Sequence, residues 1–132
     1  MAGYSTASLI KKLGIKEEMK IILLNAPVTY MKLLESDISK QLTKKISEAD
    51  FVHLFVTSKE ELKKNFMKII SEGKNKLIVW ISWYKKSSGI ATDVTEDVIR
   101  EIVLPIGWVD VKVCAVSDVW SALKIVKRKS ME

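Results

Sequence analysis

Cysteine and histidine, the residues most often used for metal binding and nucleophilic chemistry, occur only once each in this chain of 132 residues. Because Cys114 stands alone, the sequence excludes an internal disulfide and a cysteine-rich metal cluster. Cys114 is expected to be a small buried residue of a strand. His53 lies within an apolar run, which favours a hydrogen-bonded core histidine over a base or a ligand. We therefore expect no metal, no cofactor and no catalytic residue.

Long apolar runs are also missing. The longest uninterrupted ones cover residues 21–24 and 77–81, far short of the about 20 residues that a membrane span needs. The first seven residues lack the basic start and the apolar stretch of a secretory signal. These absences predict a cytoplasmic protein without a membrane partner.

Glycine and proline are scarce, with five and two residues respectively, and no repeat or linker divides the chain. A chain of this length can bury roughly two-thirds of its unfolded surface, so it can build one hydrophobic core without disulfides or a structural metal. We expect a single α/β domain over residues 8–132, preceded by a flexible N-terminus at residues 1–7.

Three stretches are rich in consecutive apolar, β-branched and aromatic residues, which is typical of strands buried on both faces. They cover residues 19–26, 51–56 and 77–83. After them, residues 108–113 and 122–127 alternate with a period of two around a turn at 117–118, which predicts an antiparallel pair. Residues 28–50 are hard to assign, since the apolar spacing at 38–46 fits a helix face and a strand face alike.

Helices are predicted between these strands. Ser8 and Gly14 bracket a short first helix. Ser58, with Glu61 three residues later, forms a capping box for a helix that ends at Gly73. A third helix starts either at Asp93 with Glu96 or at Thr95, and ends near residues 104–107.

Strands that alternate with helices imply right-handed crossovers and a parallel sheet with helices on both faces. The closing hairpin adds antiparallel strands. The sequence therefore predicts a three-layer, mostly parallel α/β sheet with a C-terminal antiparallel hairpin.

Residues 12–24 resemble the approach to the first strand of S-adenosylmethionine-dependent methyltransferases, and the closing antiparallel strands resemble the end of that fold. The resemblance implies a Rossmann-like, methyltransferase-like fold. In this family the first strand leads into a glycine-rich turn at the cofactor, and an acidic residue of the next strand binds the ribose. Here the turn at residues 25–30 contains no glycine, and no residue is identified as the ribose-binding acid. The resemblance supports the fold and argues against the cofactor.

A second resemblance covers most of the chain, at residues 12–15, 23–27, 50–56, 85–93 and 109–116. These segments are similar to a family of small bacterial proteins known only as a domain of unknown function. Its distinctive part is the Lys-Lys-Ser-Ser-Gly loop at 85–89 with the Thr-Asp pair that follows. This resemblance implies a bacterial origin and no particular activity.

The loop after the third strand is the best candidate for a site, because ligands of open α/β sheets bind outside the carboxyl ends of the strands. It offers two ammonium groups, two hydroxyls, a glycine and the helix N-terminus that follows, which together favour an anion. Its spacing differs from the phosphate loop of nucleotide hydrolases. The predicted ligand-binding residues are Asn25, Lys85, Lys86, Ser87, Ser88, Gly89, Thr92, Asp93, Asp118 and Trp120. The alternative is that Thr92, Asp93 and Thr95 simply cap a helix beside solvated lysines.

These residues suggest a non-catalytic module that holds a small anionic ligand, or an anionic patch of a protein partner, at the 85–93 loop. Asn25, Asp118 and Trp120 would form the opposite wall. One alternative is a divergent methyltransferase-like transferase with Asp93 or Asp118 as base.

Another alternative is weak nucleic-acid binding through lysine-rich faces, since the formal net charge is +6. Only Arg100 and Arg128 among the 22 cationic residues are arginines, which argues against base-edge recognition. We therefore expect the lysines to form a solvated surface and no nucleic-acid partner. The sequence predicts no oligomeric state.

Overall fold

The computed structural model describes residues 8–129, so the expectation for residues 1–7 falls outside the described part of the chain. Helices α1 to α4 span Leu9–Leu13, Tyr30–Leu34, Lys59–Glu72 and Glu96–Val103. Strands β1 to β5 span Ile21–Leu24, Phe51–Phe55, Ile78–Tyr84, Trp108–Ala115 and Trp120–Lys127. None of the helices within residues 8–129 is long and apolar enough to cross a membrane.

The five strands form one mixed sheet in the order β1-β2-β3-β5-β4. Strands β1, β2 and β3 are parallel to one another, and β5 is antiparallel to both β3 and β4. Strand β4 therefore runs in the same direction as the first three. The prediction of a sheet that begins parallel and closes with an antiparallel pair is confirmed. We call the edge where β1 to β4 end the carboxyl edge, and the opposite one the amino edge.

Two hydrophobic clusters contain alternate residues of the same strands, because consecutive side chains of a strand point to opposite faces. The first cluster joins β2 and β3 to α3 and α4 through residues that include Val52, Val79, Phe66 and Ile99. The second joins the same strands to α1 and α2 through residues that include Phe51, Trp80, Leu13 and Leu34. Trp80 and Trp83 fall in different clusters, as their opposite parity predicts.

Side-chain caps determine where the two longer helices start. Ser58 Oγ accepts a hydrogen bond from Glu61 N at 3.1 Å, and Thr57 N donates to Glu61 Oε1 at 2.8 Å. Thr95 Oγ1 accepts from Val98 N at 3.2 Å. Helix α4 therefore starts after Thr95, and the alternative start at Asp93 is wrong because the Asp93 carboxylate is used elsewhere.

The segment at residues 28–50 holds α2, which the sequence did not predict, and two 3₁₀ turns at Ser39–Gln41 and Ile46–Glu48. Leu42 forms a single parallel bridge with Ile21 of β1. Residues 38–46 are thus neither an α-helix nor a strand. Their apolar side chains do not share one face, since Ile38 and Ile46 belong to different clusters and Leu42 is 43% exposed.

Candidate functional site

An open cavity of about 480 Å³ lies at the carboxyl end of β3, between the loop that follows this strand and the start of α4. Trp83, Ile90 and Val94 provide its apolar surface, and Tyr84 lines it at the end of β3. Its polar wall comes from the predicted loop and from the first turn of α4. The polar residues and the glycine that line it are Lys86, Gly89, Thr92, Thr95 and Glu96.

The loop holds its shape through its own hydrogen bonds. Ser88 Oγ donates to Lys85 O at 2.6 Å and accepts from Ile90 N at 3.2 Å. Gly89 has a φ of +75°, in the left-handed region that glycine adopts at least cost. Lys85 N donates to Val119 O at 2.8 Å and ties the loop to the turn between β4 and β5.

Thr92 and Asp93 fasten the other end of the loop to the start of α3. Thr92 Oγ1 donates to Thr57 O at 2.7 Å and accepts from Val94 N at 3.2 Å. Asp93 Oδ1 accepts from Lys59 N at 2.7 Å. The Asp93 carboxylate thus satisfies an amide in the first turn of α3, where a negative charge is favoured. It caps a helix other than the one that the sequence predicted.

Among the described residues, some charged side chains around the cavity have salt-bridge partners, and one does not. Glu96 forms a salt bridge with Arg100, whose guanidinium also binds Asp97 Oδ1 at 3.1 Å and Asp110 Oδ2 at 3.0 Å. Hydrogen bonds to Asp110 and Glu96 raise the pKa of Arg100. Lys86 is exposed and has no salt bridge within residues 8–129. The cavity therefore presents one unpaired ammonium group beside an apolar wall.

Several predicted site residues do not line this cavity. Asn25 is exposed and has a φ of 58°, a conformation that asparagine tolerates better than most residues. Asp118 is exposed in the β4–β5 turn. The ring of Trp120 stacks on Tyr84 at 4.3 Å and packs edge-on against Phe55 at 4.9 Å. These three residues reach the carboxyl edge but do not form the expected opposite wall. The loop residues that stay outside the lining are Lys85, Ser87, Ser88 and Asp93.

The sequence did not predict the partners of His53. Tyr30 Oη lies 2.7 Å from His53 Nδ1, and Ser82 Oγ lies 2.7 Å from His53 Nε2. His53 and Ser82 have no exposed surface, and burial lowers the pKa of His53 to about 3. The prediction of a hydrogen-bonded core histidine is confirmed. A serine inside the apolar run of β3 was the available signal, since a buried hydroxyl needs a partner.

Cys114 is half-buried rather than fully buried, because β4 is an edge strand and part of the thiol's surroundings is solvent. Burial still raises the pKa of its thiol, so the reactive thiolate is disfavoured. Within the described part of the chain, no group of three or more His, Cys, Asp or Glu side chains is placed to hold a metal ion.

No protein-family model matches this sequence, and no curated protein matches it either. Several solved structures do match in fold. A candidate type 11 methyltransferase from Sulfolobus solfataricus aligns with 94% of this chain and 92% of its own, at a TM-score of 0.64 and 13% identity. A ribosomal protein L11 methylase from Lactobacillus delbrueckii subsp. bulgaricus aligns with 91% of this chain and 75% of its own, at a TM-score of 0.58 and 11% identity.

A protein of the NADB-Rossmann superfamily from Streptococcus agalactiae aligns with 96% of this chain and 71% of its own, at a TM-score of 0.56 and 7% identity. At such identities these matches establish the fold alone. The chain has a Rossmann-like, methyltransferase-like mixed sheet, as the first resemblance predicted. The resemblance to small bacterial proteins of unknown function stays a prediction.

Proposed function

We propose that this domain is a non-catalytic binding module that holds a small ligand with one anionic group in the cavity at the end of β3. The observation that carries the proposal is the unpaired ammonium of Lys86 beside the apolar surface of Trp83, Ile90 and Val94. The carboxylate of Glu96 is paired with Arg100, which it shares with Asp97 and Asp110, so its repulsion of an incoming anion is only partly offset. The apolar body of the ligand would pack on this apolar surface, as in most small-molecule sites.

The residues predicted from the sequence then have different tasks in this proposal. Lys86, Gly89 and Thr92 would face the ligand, since they line the cavity. Ser88 and Asp93 would support the loop through the hydrogen bonds described above. A non-catalytic role is supported by His53, whose two ring nitrogens are occupied inside the core.

A thermal-shift screen of small carboxylates, phosphate esters, nucleotides and S-adenosylmethionine tests this proposal, with Lys86→Ala and Lys85→Ala as a matched pair. A ligand at 100 times its Kd stabilises the fold by about 2.7 kcal/mol, which corresponds to roughly 10 °C for a domain of this size. We expect Lys86→Ala to abolish the shift. Lys85→Ala should retain it, because Lys85 lies outside the cavity lining and its loop contact uses the backbone amide.

A shift that both variants retain would place the ligand elsewhere and refute the assignment. If no compound shifts the wild-type protein, a protein partner at the same loop becomes the better hypothesis. Pull-down with the wild type and with Lys86→Ala would then test it.

A divergent methyltransferase-like transferase is the second candidate, and the fold of the matching structures favours it. In this case the protein would be a three-layer Rossmann-like sandwich. The first cluster would lie between the sheet and the layer of α3 and α4, and the second between the sheet and the layer of α1 and α2. The cofactor would bind at the end of β1, near Asn25, although the turn there lacks glycine. Titration calorimetry with S-adenosylmethionine should show binding that Lys86→Ala leaves intact, because Lys86 follows β3. Absence of any heat of binding would exclude this candidate.

A further inference from the structure

Two lysine-containing segments that are about 50 residues apart in sequence meet at the amino edge of the sheet. Val79 of β3 pairs with Ile125 of β5 in antiparallel register. The turn that precedes β3 and the chain that leaves β5 therefore emerge side by side. Lys127 Nζ donates to Asn75 Oδ1 at 3.0 Å, and Arg128 N donates to Gly107 O at 2.8 Å.

These segments form a concave surface of about 300 Å³, which we call the basic cleft. It is lined by Asn75, Lys127, Arg128 and Lys129. Lys74 and Lys76 flank Asn75 in sequence, and all of these side chains are exposed. No acidic residue occurs in residues 73–81 or 119–131, so the two segments bring only positive charge to the cleft.

Few of these cations are neutralised by neighbours. Lys74 Nζ binds Asp50 Oδ1 at 3.1 Å. Within residues 8–129, Lys76 and the three cationic residues that line the basic cleft form no salt bridge. A cluster of unpaired cations in a concave surface produces a positive potential that a polyanion relieves.

The carboxyl edge carries charges of both signs. The acidic residues in the first turns of α3 and α4, and in the adjoining loops and turns, lie at this edge. They are Glu60, Glu61, Asp93, Glu96, Asp97 and Asp118. Lys59, Lys85 and Lys86 lie at this edge too, so its charges are mixed, whereas the two segments of the basic cleft bring only cations.

We propose that the basic cleft binds the phosphate backbone of a single-stranded nucleic acid. A flexible phosphodiester strand can enter a concave surface, whereas a flat anionic membrane would touch only its rim. Since no aromatic side chain lines the cleft, binding relies on phosphates and is independent of base sequence. From the sequence alone, weak nucleic-acid binding through lysine-rich faces was only an alternative and no nucleic-acid partner was expected, because the two segments come together only in the fold.

Fluorescence anisotropy with a labelled polyuridine strand of about 20 nucleotides tests the proposal across a series of salt concentrations. For single strands, log K falls with log salt at a slope of about −0.7 for each phosphate contacted. Arg128→Gln/Lys129→Gln removes two contacts, so the slope becomes less steep by about 1.4 and binding at 0.1 M salt weakens roughly 25-fold. Lys63→Gln/Lys68→Gln, on the exposed side of α3, removes the same charge and should keep both values near wild type.

Equal losses of affinity in the two double variants would show that net charge alone drives binding, and would overturn the proposal. Absence of binding by the wild-type protein at low salt would overturn it as well. Vesicles that contain anionic lipid form the last arm of the experiment. If they bind through Arg128 and Lys129 while polyuridine does not, the partner is a membrane surface and the nucleic-acid assignment is wrong.

Discussion

At the scale of single residues, His53 connects three elements through two hydrogen bonds. Tyr30 belongs to α2, His53 to β2 and Ser82 to β3. A neutral imidazole donates from one ring nitrogen and accepts at the other, so each neighbour satisfies one of them. Because these polar atoms are excluded from water, the loss of either neighbour leaves a buried nitrogen without a partner.

Tyr30→Phe should therefore lower the free energy of unfolding by about 1–3 kcal/mol, since it removes only the hydroxyl that His53 Nδ1 faces. Urea denaturation measures this change. Tyr84→Phe is the matched control, because Tyr84 is partly exposed and its ring stacks on Trp120. We expect the control to change stability by less than about 0.5 kcal/mol. Equal effects of the two substitutions would contradict the role given to the network.

The burial of His53 also predicts how stability depends on pH. Its pKa is about 3 in the folded protein against an ordinary 6.5, so below pH 6.5 the unfolded chain binds a proton that the folded one does not. The free energy of unfolding should be highest above pH 6.5 and fall by about 1.4 kcal/mol per pH unit from there towards pH 3. His53 is the only histidine, so His53→Gln should remove the slope between pH 6.5 and 5. Urea denaturation at several pH values checks this, and a flat wild-type profile would refute it.

At the scale of elements, two serines that the sequence predicted as helix caps behave differently. Ser58 accepts a hydrogen bond from the first turn of α3, whereas the side chain of Ser8 makes no cap hydrogen bond to α1. The stabilisation from a cap residue comes mainly from that hydrogen bond, because it satisfies an amide that the helix leaves free.

Ser58→Ala should therefore cost about 1 kcal/mol of stability, and Ser8→Ala only a few tenths. The two substitutions remove the same hydroxyl group from the same type of position. Thermal unfolding followed by circular dichroism distinguishes them. A larger loss from Ser8→Ala than from Ser58→Ala would show that the cap geometry described for these helices is incorrect.

The elements also show what the sequence could predict. The strands β2 and β3 are rich in apolar, β-branched and aromatic residues, with His53 and Ser82 as their polar members, so local composition was enough to place them. Helix α2 has only five residues, too few for a periodic pattern, and residues 38–46 were ambiguous because their apolar side chains belong to both clusters. The loop at 85–93 was predicted from its residue types, and three of its predicted residues line the cavity. The pairing of Asn75 with Lys127 depends on strand order, which one sequence does not reveal.

At the scale of the whole molecule, the two hydrophobic clusters share the same strands. The first contains α3 and α4 residues and the second α1 and α2 residues, but both include alternate residues of β2 and β3. Loss of either cluster would expose one face of the central strands. The two clusters should therefore unfold together, in a single cooperative transition.

Ile69→Val in the first cluster and Ile21→Val in the second should each cost about 0.5–1.5 kcal/mol. Each should shift the urea midpoint seen by tryptophan fluorescence and by circular dichroism to the same extent. The double variant should show the sum of the two losses within about 0.5 kcal/mol, because the residues share no cluster. Separate transitions for the two probes would show that the clusters unfold independently.

The position of β5 has a consequence for the synthesis of this protein. Strand β5 follows β4 in the chain yet lies between β3 and β4 in the sheet. While a ribosome is still translating the codons for residues 120–127, the edge of β3 has no partner and presents unsatisfied backbone groups next to apolar side chains. The nascent chain is therefore most prone to aggregation, and benefits most from a chaperone, after β3 is exposed and before β5 is available. A translational pause just before β5 would lengthen this interval, and rapid decoding there would shorten it.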